Sequence, residues 1–354
     1  MSDRLQQPGQ QPPPEQVGVY LAEHIREALT GDERTAGAEI EVLIEGGAIV
    51  LRGAVTTPQR RDAAEDVARQ LAPDRRVQNE LQVVDFGEEE RRALPPALRI
   101  AAMADVHFGA DAVGTLRPHL ERLHEQADLL LIAGDITRIG DPAEAGYFLD
   151  ELAPLRIPAF AVLGNHDYHT NRVDEIARCL ESAGVQVLEG NGAQIDINGI
   201  CVGVAGTKGF GGGFLGASGS DFGEPEMKAF IRHTRERAAA LEGALMGLKC
   251  DLKIALLHYS PIPETLQGER LEIFPFLGSY LLAEAIDRAG ADLAFHGHAH
   301  AGAEQGMTPG GVHVRNVAQP VIRRAYALYH FDRSGGPPQN APQGEFAGWR
   351  YLAH

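Results

Sequence analysis

Seven side chains able to ligate a metal stand just beyond apolar runs of this chain. The run 98–103 leads to Asp105-Val106-His107, and the run 129–133 leads to Gly134-Asp135. The run 157–162 leads to Leu163-Gly164-Asn165-His166-Asp167, 252–257 to His258, and 293–295 to Gly297-His298-Ala299-His300. Short apolar runs of this kind read as buried strands. Polar groups at the carboxyl ends of parallel strands gather along one edge, where ligands bind in open α/β sheets. Carboxylates, an amide and imidazoles without a thiolate suit Mn²⁺, Fe²⁺ or Zn²⁺ better than Ca²⁺ or an iron–sulfur cluster. They are too many ligands for one ion and about enough for two.

The elements that must position these groups alternate strand with helix. Helical spacing is predicted over 116–126, 143–152, 174–183, 230–246 and 279–289, with further strands near 185–188, 193–197, 200–205, 313–317 and 326–331. A Gly-rich stretch over 206–224 lacks the order of a P-loop and is either a lid over the site or a solvent loop. Tyr168, His169, Arg138, Lys208 and Tyr259 flank the motifs and are either substrate contacts or, the preferred reading, ordinary loop residues. His119, His124, His233, His296 and His313 are assigned to surface or packing. The C-terminal stretch 333–354 is a tail that is Gly/Pro-rich until Phe346 to Leu352, a short aromatic end that docks on the body or on a partner.

A chain of 354 residues accommodates about two domains. Its formal charge of −17, with no offsetting Lys/Arg stripe, disfavours a nucleic-acid partner. No apolar run is long enough to span a bilayer, and the Gln/Pro-rich start, residues 1–15, reads as disordered and lacks the apolar region of a secretory leader. Cys179, Cys201 and Cys250 are odd in number and have no metal or redox spacing, as expected of buried thiols in a cytoplasmic protein.

Between 16 and 86 the pattern is αββαβ: a helix with Val17, Leu21 and Ile25, a hairpin turning at Glu45-Gly46-Gly47, a helix starting at Pro58, and a last strand through Val77, Leu81 and Val83. The strand 40–44, the strand 47–55, the helix with Arg60 and Arg61 and the segment 77–84 resemble the BON domain. That resemblance implies contact with a membrane periphery or with a protein, through residues 16–86. Residues 87–97, charged and Pro-containing, read as a linker.

Asp105-x-His107, Gly134-Asp135, Gly164-Asn165-His166-Asp167, His258 and Gly297-His298-x-His300 together resemble the calcineurin-like metallophosphoesterase superfamily, over about residues 98–332. The blocks come in family order, with thirty residues from Asp105 to Asp135 and thirty from Asp135 to Asn165. The resemblance implies a four-layer α/β/β/α sandwich and two divalent metal ions, Mn²⁺, Fe²⁺/Fe³⁺ or Zn²⁺. It assigns Asp105, His107 and His300 to one metal, Asn165, His258 and His298 to the other, and Asp135 as the bridge. The implied reaction is hydrolysis of a small-molecule phosphoester, preferably a diester, by a hydroxide held between the metals. His166 would assist the leaving group, and Asp167 would fix the tautomer and orientation of His166. The Gly-Asn-His-Asp run, the segment 185–206 and Leu277-Gly278-Ser279 are most similar to the bacterial branch related to cyclic-nucleotide phosphodiesterases. A non-catalytic scaffold or adaptor on the same fold, docking through the N-terminal domain, is the alternative.

Overall fold

The computed structural model describes residues 14–32, 34–35, 38, 40–55, 57–83, 98–332, 343–346 and 349–353. The expectations for most of 1–15 and for the linker 87–97 lie outside the described residues. The chain divides into two compact units between Val83 and Val84.

In the first unit a helix, Pro14–Gly31, precedes the antiparallel hairpin of β1 (Ile40–Glu45) and β2 (Ala48–Val55). A second helix, Pro58–Leu71, starts where Thr57 caps it: the Thr57 hydroxyl accepts from the Arg60 amide at 3.2 Å, and Pro58 opens the first turn. The expected single last strand is two short pieces, β3 (Val77–Asn79) and β4 (Gln82–Val83), both parallel to β2. The break between them turns Leu81 inward and gives its amide to the Asn79 side chain. Leu81 there joins Ile25, Val42, Ile49, Leu51 and Val67 in the core of this unit.

The second unit is two sheets face to face with helices outside both. The seven-stranded sheet contains β5 (Leu98–Met103), β6 (Leu129–Ala133), β7 (Ala159–Val162) and β8 (Val185–Val187), all parallel. The six-stranded sheet is built from β9 (Asn191–Ile197), β10 (Ile200–Thr207), β13 (Leu252–Leu257), β14 (Leu293–His296), β15 (Gln305–Met307) and β16 (His313–Asn316). Of these, β10, β13, β14 and β16 are parallel. A two-stranded ribbon, β11 (Gly213–Phe214) with β12 (Ala217–Ser218), lies between β10 and β13 in sequence.

Alternation along the strands explains the layering. Ile100, Ala102, Leu129 and Leu131 face Val204, Ile254 and Leu256 across the central core. Their neighbours Ala101, Met103, Leu130 and Ile132 pack outward on Phe148, Ile176 and Leu180 of the helices Pro142–Leu152 and Val173–Ser182. On the other side, Ala255, Leu257 and Ala294 meet Leu241, Leu245, Leu282 and Ile286 of the helices Pro225–Gly247 and Tyr280–Ala289. Strands covered on both faces are apolar throughout, which is why they read as continuous runs. Truncating one of these leucines to alanine costs about 2–5 kcal/mol. The result is the four-layer α/β/β/α sandwich.

Three expectations are corrected or resolved. The helix foreseen over 116–126 is two short turns, Arg117–Leu120 and Leu123–Gln126, because Arg122 (φ −106°, ψ 9°) leaves the helical region. The stretch 333–354 is not simply a tail: β18 (Gln343–Phe346) and β19 (Trp349–Ala353) extend the seven-stranded sheet, with β19 antiparallel to β17 (Ala327–Asp332). The Gly-rich stretch is anchored where Gly212 and Gly213 donate to the carbonyls of Pro275 and Gly278 at 2.7 and 2.9 Å. Phe214 is buried there beside Leu277.

Candidate metal centre

All five strand ends open on the same edge. β5, β6 and β7 deliver Asp105, His107, Asp135, Asn165 and His166 from one sheet, and β13 and β14 deliver His258, His298 and His300 from the other. Asp105, His107, Asp135 and His298 adopt positive φ (57°, 40°, 49° and 70°), a backbone region that non-glycine residues rarely occupy. Each strand thus turns sharply at its ligand, and such strain persists only where the surroundings hold it. Two glycines make the approach possible. A Cβ on Gly164 would come within 2.0 Å of Asp135 Oδ1, and one on Gly297 within 2.2 Å of Asp105 Oδ2.

The ligating atoms gather in three overlapping groups: Asp105, His107 and His300; His107, Asp135 and His166; Asp135, His258 and His298. His300 Nε2 lies 2.9 Å from Asp105 Oδ1 and 3.4 Å from His107 Nε2. Asp135 reaches both sides, with Oδ2 3.8 Å from His107 Nε2 and Oδ1 3.3 Å from His258 Nε2. His258 Nδ1 donates to the Ala133 carbonyl at 2.9 Å, which turns Nε2 toward Asn165 Oδ1, 2.9 Å away. Converging lone pairs on buried carboxylates, imidazoles and an amide oxygen fit divalent cations, and imidazoles fixed through their other nitrogen are typical metal ligands.

The electrostatics follow from burial and charge. Burial opposes ionisation of Asp135, but His258, His166 and His107 together overcome it and hold the carboxyl well below its usual range. Burial also works against protonation of His258, and Asp135 outweighs it, raising that imidazole. Desolvation, aided by His258, pushes His298 well below the ordinary histidine value.

His166 Nδ1 donates to the Arg138 carbonyl at 2.7 Å. Its ring lies edge-on to His107 at 4.5 Å, with Nε2 4.0 Å from Asp135 Oδ2. Glu144 holds the Arg138 loop by accepting the amides of Arg138 and Ile139, both at 2.9 Å. The expectation that Asp167 orients His166 is corrected. Asp167 is fully buried and accepts from the amides of Thr137 (2.8 Å), Gly164 (2.8 Å) and Ile136 (3.3 Å) and from the Thr137 hydroxyl (2.7 Å). The two residues are neighbours in a 3₁₀ turn, where successive side chains diverge by about 120°. Asp167 therefore ties the Asn165 loop to the Asp135 loop, and Arg138 orients the imidazole.

Residues 98–302, more than half of the chain, match the family model described as calcineurin-like phosphoesterase. The chain belongs to the calcineurin-like phosphoesterase family. Residues 19–85 match the BON domain. A curated relative, the transmembrane protein with metallophosphoesterase domain of Bos taurus, is 26% identical over 187 residues, 48% of this chain. The phosphoesterase described here spans 37% of that relative's length. Among solved structures, the phosphopantetheinyl hydrolase of Mycobacterium tuberculosis is similar, with a TM-score of 0.51, 19% identity, and coverage of 70% of this chain and 98% of that one. Plasmodium GAP50, the anchor in the inner membrane complex, also matches, at a TM-score of 0.45 and 12% identity, over 67% of this chain and 82% of its own. At these identities the structural likeness concerns the fold.

Lys208, for which the sequence favours an ordinary loop role over a substrate contact, is buried. It follows β10 as His258 follows the parallel strand β13. Burial pushes its ammonium below the usual lysine value, and burial beside Glu189 pushes the Tyr168 hydroxyl up to about 12. Among the described residues no helix is long and apolar enough to cross a membrane.

Proposed function

We propose that this phosphoesterase is a dinuclear-metal-dependent phosphohydrolase acting on small-molecule phosphodiesters, with its catalytic unit in residues 98–332. Asp105, His107 and His300 would hold one divalent ion and Asn165, His258 and His298 the other, with Asp135 shared; Mn²⁺, Fe²⁺/Fe³⁺ and Zn²⁺ suit these donors. The reading rests on one observation above the rest: the Asp135 carboxylate approaches His107 through one oxygen and His258 through the other. When bound, the ions would supply an activated water and neutralise phosphoryl charge. His166 Nε2 is left pointing into the site by the bond from Nδ1 to Arg138, and in its protonated form it delivers a proton to the departing oxygen.

Hydrolysis of bis(p-nitrophenyl) phosphate by the full chain, measured with and without Mn²⁺, tests the reading. Activity should disappear on chelation and return with the metal. Metal-independent hydrolysis, or none at all with any of the named ions, would sink it.

Residues 16–86 form the docking unit in this reading, contacting a membrane periphery or a protein, in a cytoplasmic enzyme. The BON match is its support. Flotation of the full chain with anionic vesicles separates the two surfaces, since a protein-docking unit would leave the chain unbound.

A further inference from the structure

The metal-centre reading leaves one buried charge on the same edge unused. Lys208 is 7% exposed, and its ammonium lies 4.9 Å from the ring centres of Tyr168 and Phe210 and 5.1 Å from that of Tyr259. No carboxylate of the described residues forms an ion pair with it. The Glu189 carboxylate, which acts on it electrostatically, is already engaged by the Thr207 hydroxyl (2.8 Å), the Lys208 amide (2.9 Å) and Arg237 (3.0 Å). Three ring faces attract a cation, but they do not replace the water that a buried ammonium gives up.

Its position is fixed from both sides. The Lys208 carbonyl accepts the amides of His258 and Tyr259 at 3.2 and 3.0 Å. The Tyr259 ring lies 4.3 Å from that of His298, and Tyr168 belongs to the 3₁₀ turn that begins at His166. Tyr259 and Tyr168 link the surroundings of Lys208 to the ligands, and the Asp135 carboxylate acts on its charge as Glu189 does. An anion on this ammonium would lie next to the side chains that flank His166 and His298, within the span of one diphosphate-linked molecule.

We propose that Lys208, walled by Tyr168, Phe210 and Tyr259, binds the second phosphate of a diphosphate-linked substrate. The inference rests on the phosphohydrolase reading and names its substrate class. Water attacks one phosphorus, the P–O bond to the bridging oxygen breaks, and two phosphomonoesters leave, sharing the two protons of the water.

The test uses the Mn²⁺-loaded full chain with ADP-ribose and bis(p-nitrophenyl) phosphate as substrates. Lys208→Met should lower kcat/KM for ADP-ribose roughly ten- to hundredfold more than for the single-phosphate diester, as loss of a charged hydrogen bond does. Lys208→Arg should recover part of that difference. Equal losses on both substrates, or no loss on either, would overturn the proposal. So would a wild-type enzyme that cleaves the diester and leaves ADP-ribose intact. Inhibition of the wild type needs no variant: with Mn²⁺ in excess, ADP should bind at least tenfold more tightly than AMP, and equal inhibition counts against Lys208. If neither substrate is cleaved, the phosphohydrolase reading fails and takes this inference with it.

Discussion

His258 Nε2 and Asn165 Oδ1 face one another at 2.9 Å while the other nitrogen of the same imidazole donates to the Ala133 carbonyl. In that tautomer both facing atoms carry lone pairs. His107 Nε2 and His300 Nε2 approach at 3.4 Å, and His300 Nε2 also lies 2.9 Å from Asp105 Oδ1. In the neutral tautomer the two acceptors of His258 and Asn165 repel, and Asp135, which raises the His258 imidazole, favours a proton in the place that a metal cation would take. The folded chain is thus primed for metal before any metal binds.

Metal removal should therefore weaken the fold as well as the activity. Mn²⁺ at a hundredfold excess over its Kd should add about 2.7 kcal/mol of stability by mass action. Thermal unfolding with chelator and with Mn²⁺ reads this directly, and Asp135→Asn should largely abolish the shift. A wild-type unfolding midpoint indifferent to Mn²⁺, Zn²⁺ and Fe²⁺ would remove the metals from the account.

His166 should separate catalysis from metal binding. Although His166 shares a group with His107 and Asp135, it is not among the seven side chains proposed to hold the ions, so His166→Ala should keep Mn²⁺-dependent stabilisation. Hydrolysis should fall by about 10²–10⁴. The loss should be larger for an alkoxide leaving group, which needs the proton, than for p-nitrophenolate, which hardly does. Equal losses across leaving groups would argue that His166 acts on the phosphoryl oxygens instead.

How much of this could be read from the sequence depended on backbone geometry. The ligands were legible because each apolar strand is covered on both faces and ends abruptly at its polar residue, as at Ala133-Gly134-Asp135. The role of Asp167 was not legible, since its partners are amides at Ile136, Thr137 and Gly164, and amides leave no trace in residue type. The Arg138 carbonyl that orients His166 is hidden for the same reason. The burial of Lys208 was not legible because a lysine after a strand ordinarily reaches solvent, and only the packing of Tyr168, Phe210 and Tyr259 reveals that this one does not. The pairing of β19 with β17 was obscured by the Gly/Pro-rich stretch that separates them.

Asp167 should behave as a structural tie. Asp167→Ala strands three amides and a hydroxyl in a buried loop, at about 1–3 kcal/mol for each group left unsatisfied. A fall in chemical-denaturation stability of several kcal/mol is expected, in contrast to His166→Ala. Asp167→Asn keeps one acceptor oxygen and should retain part of the stability. A stable Asp167→Ala enzyme with the kinetic profile of His166→Ala would restore a direct link between the two side chains.

His296 should make the fold sensitive to acid. It is fully buried between the Gly297 carbonyl, 2.7 Å from Nδ1, and the Thr265 hydroxyl, 2.8 Å from Nε2. Burial lowers it from 6.5 to about 3, so it stays neutral in the fold, whereas in the unfolded chain it takes up a proton below about 6.5. The unfolded state then binds more protons between pH 3 and 6.5, and stability is lost as pH falls through 6.5. Between pH 7.5 and 5.5 this one group contributes about 1.4 kcal/mol. Urea unfolding of the chelator-treated protein at those two values should show that loss reduced by a similar amount in His296→Gln, which cannot titrate. The same pH dependence in both proteins would mean that His296 takes its proton without leaving the fold.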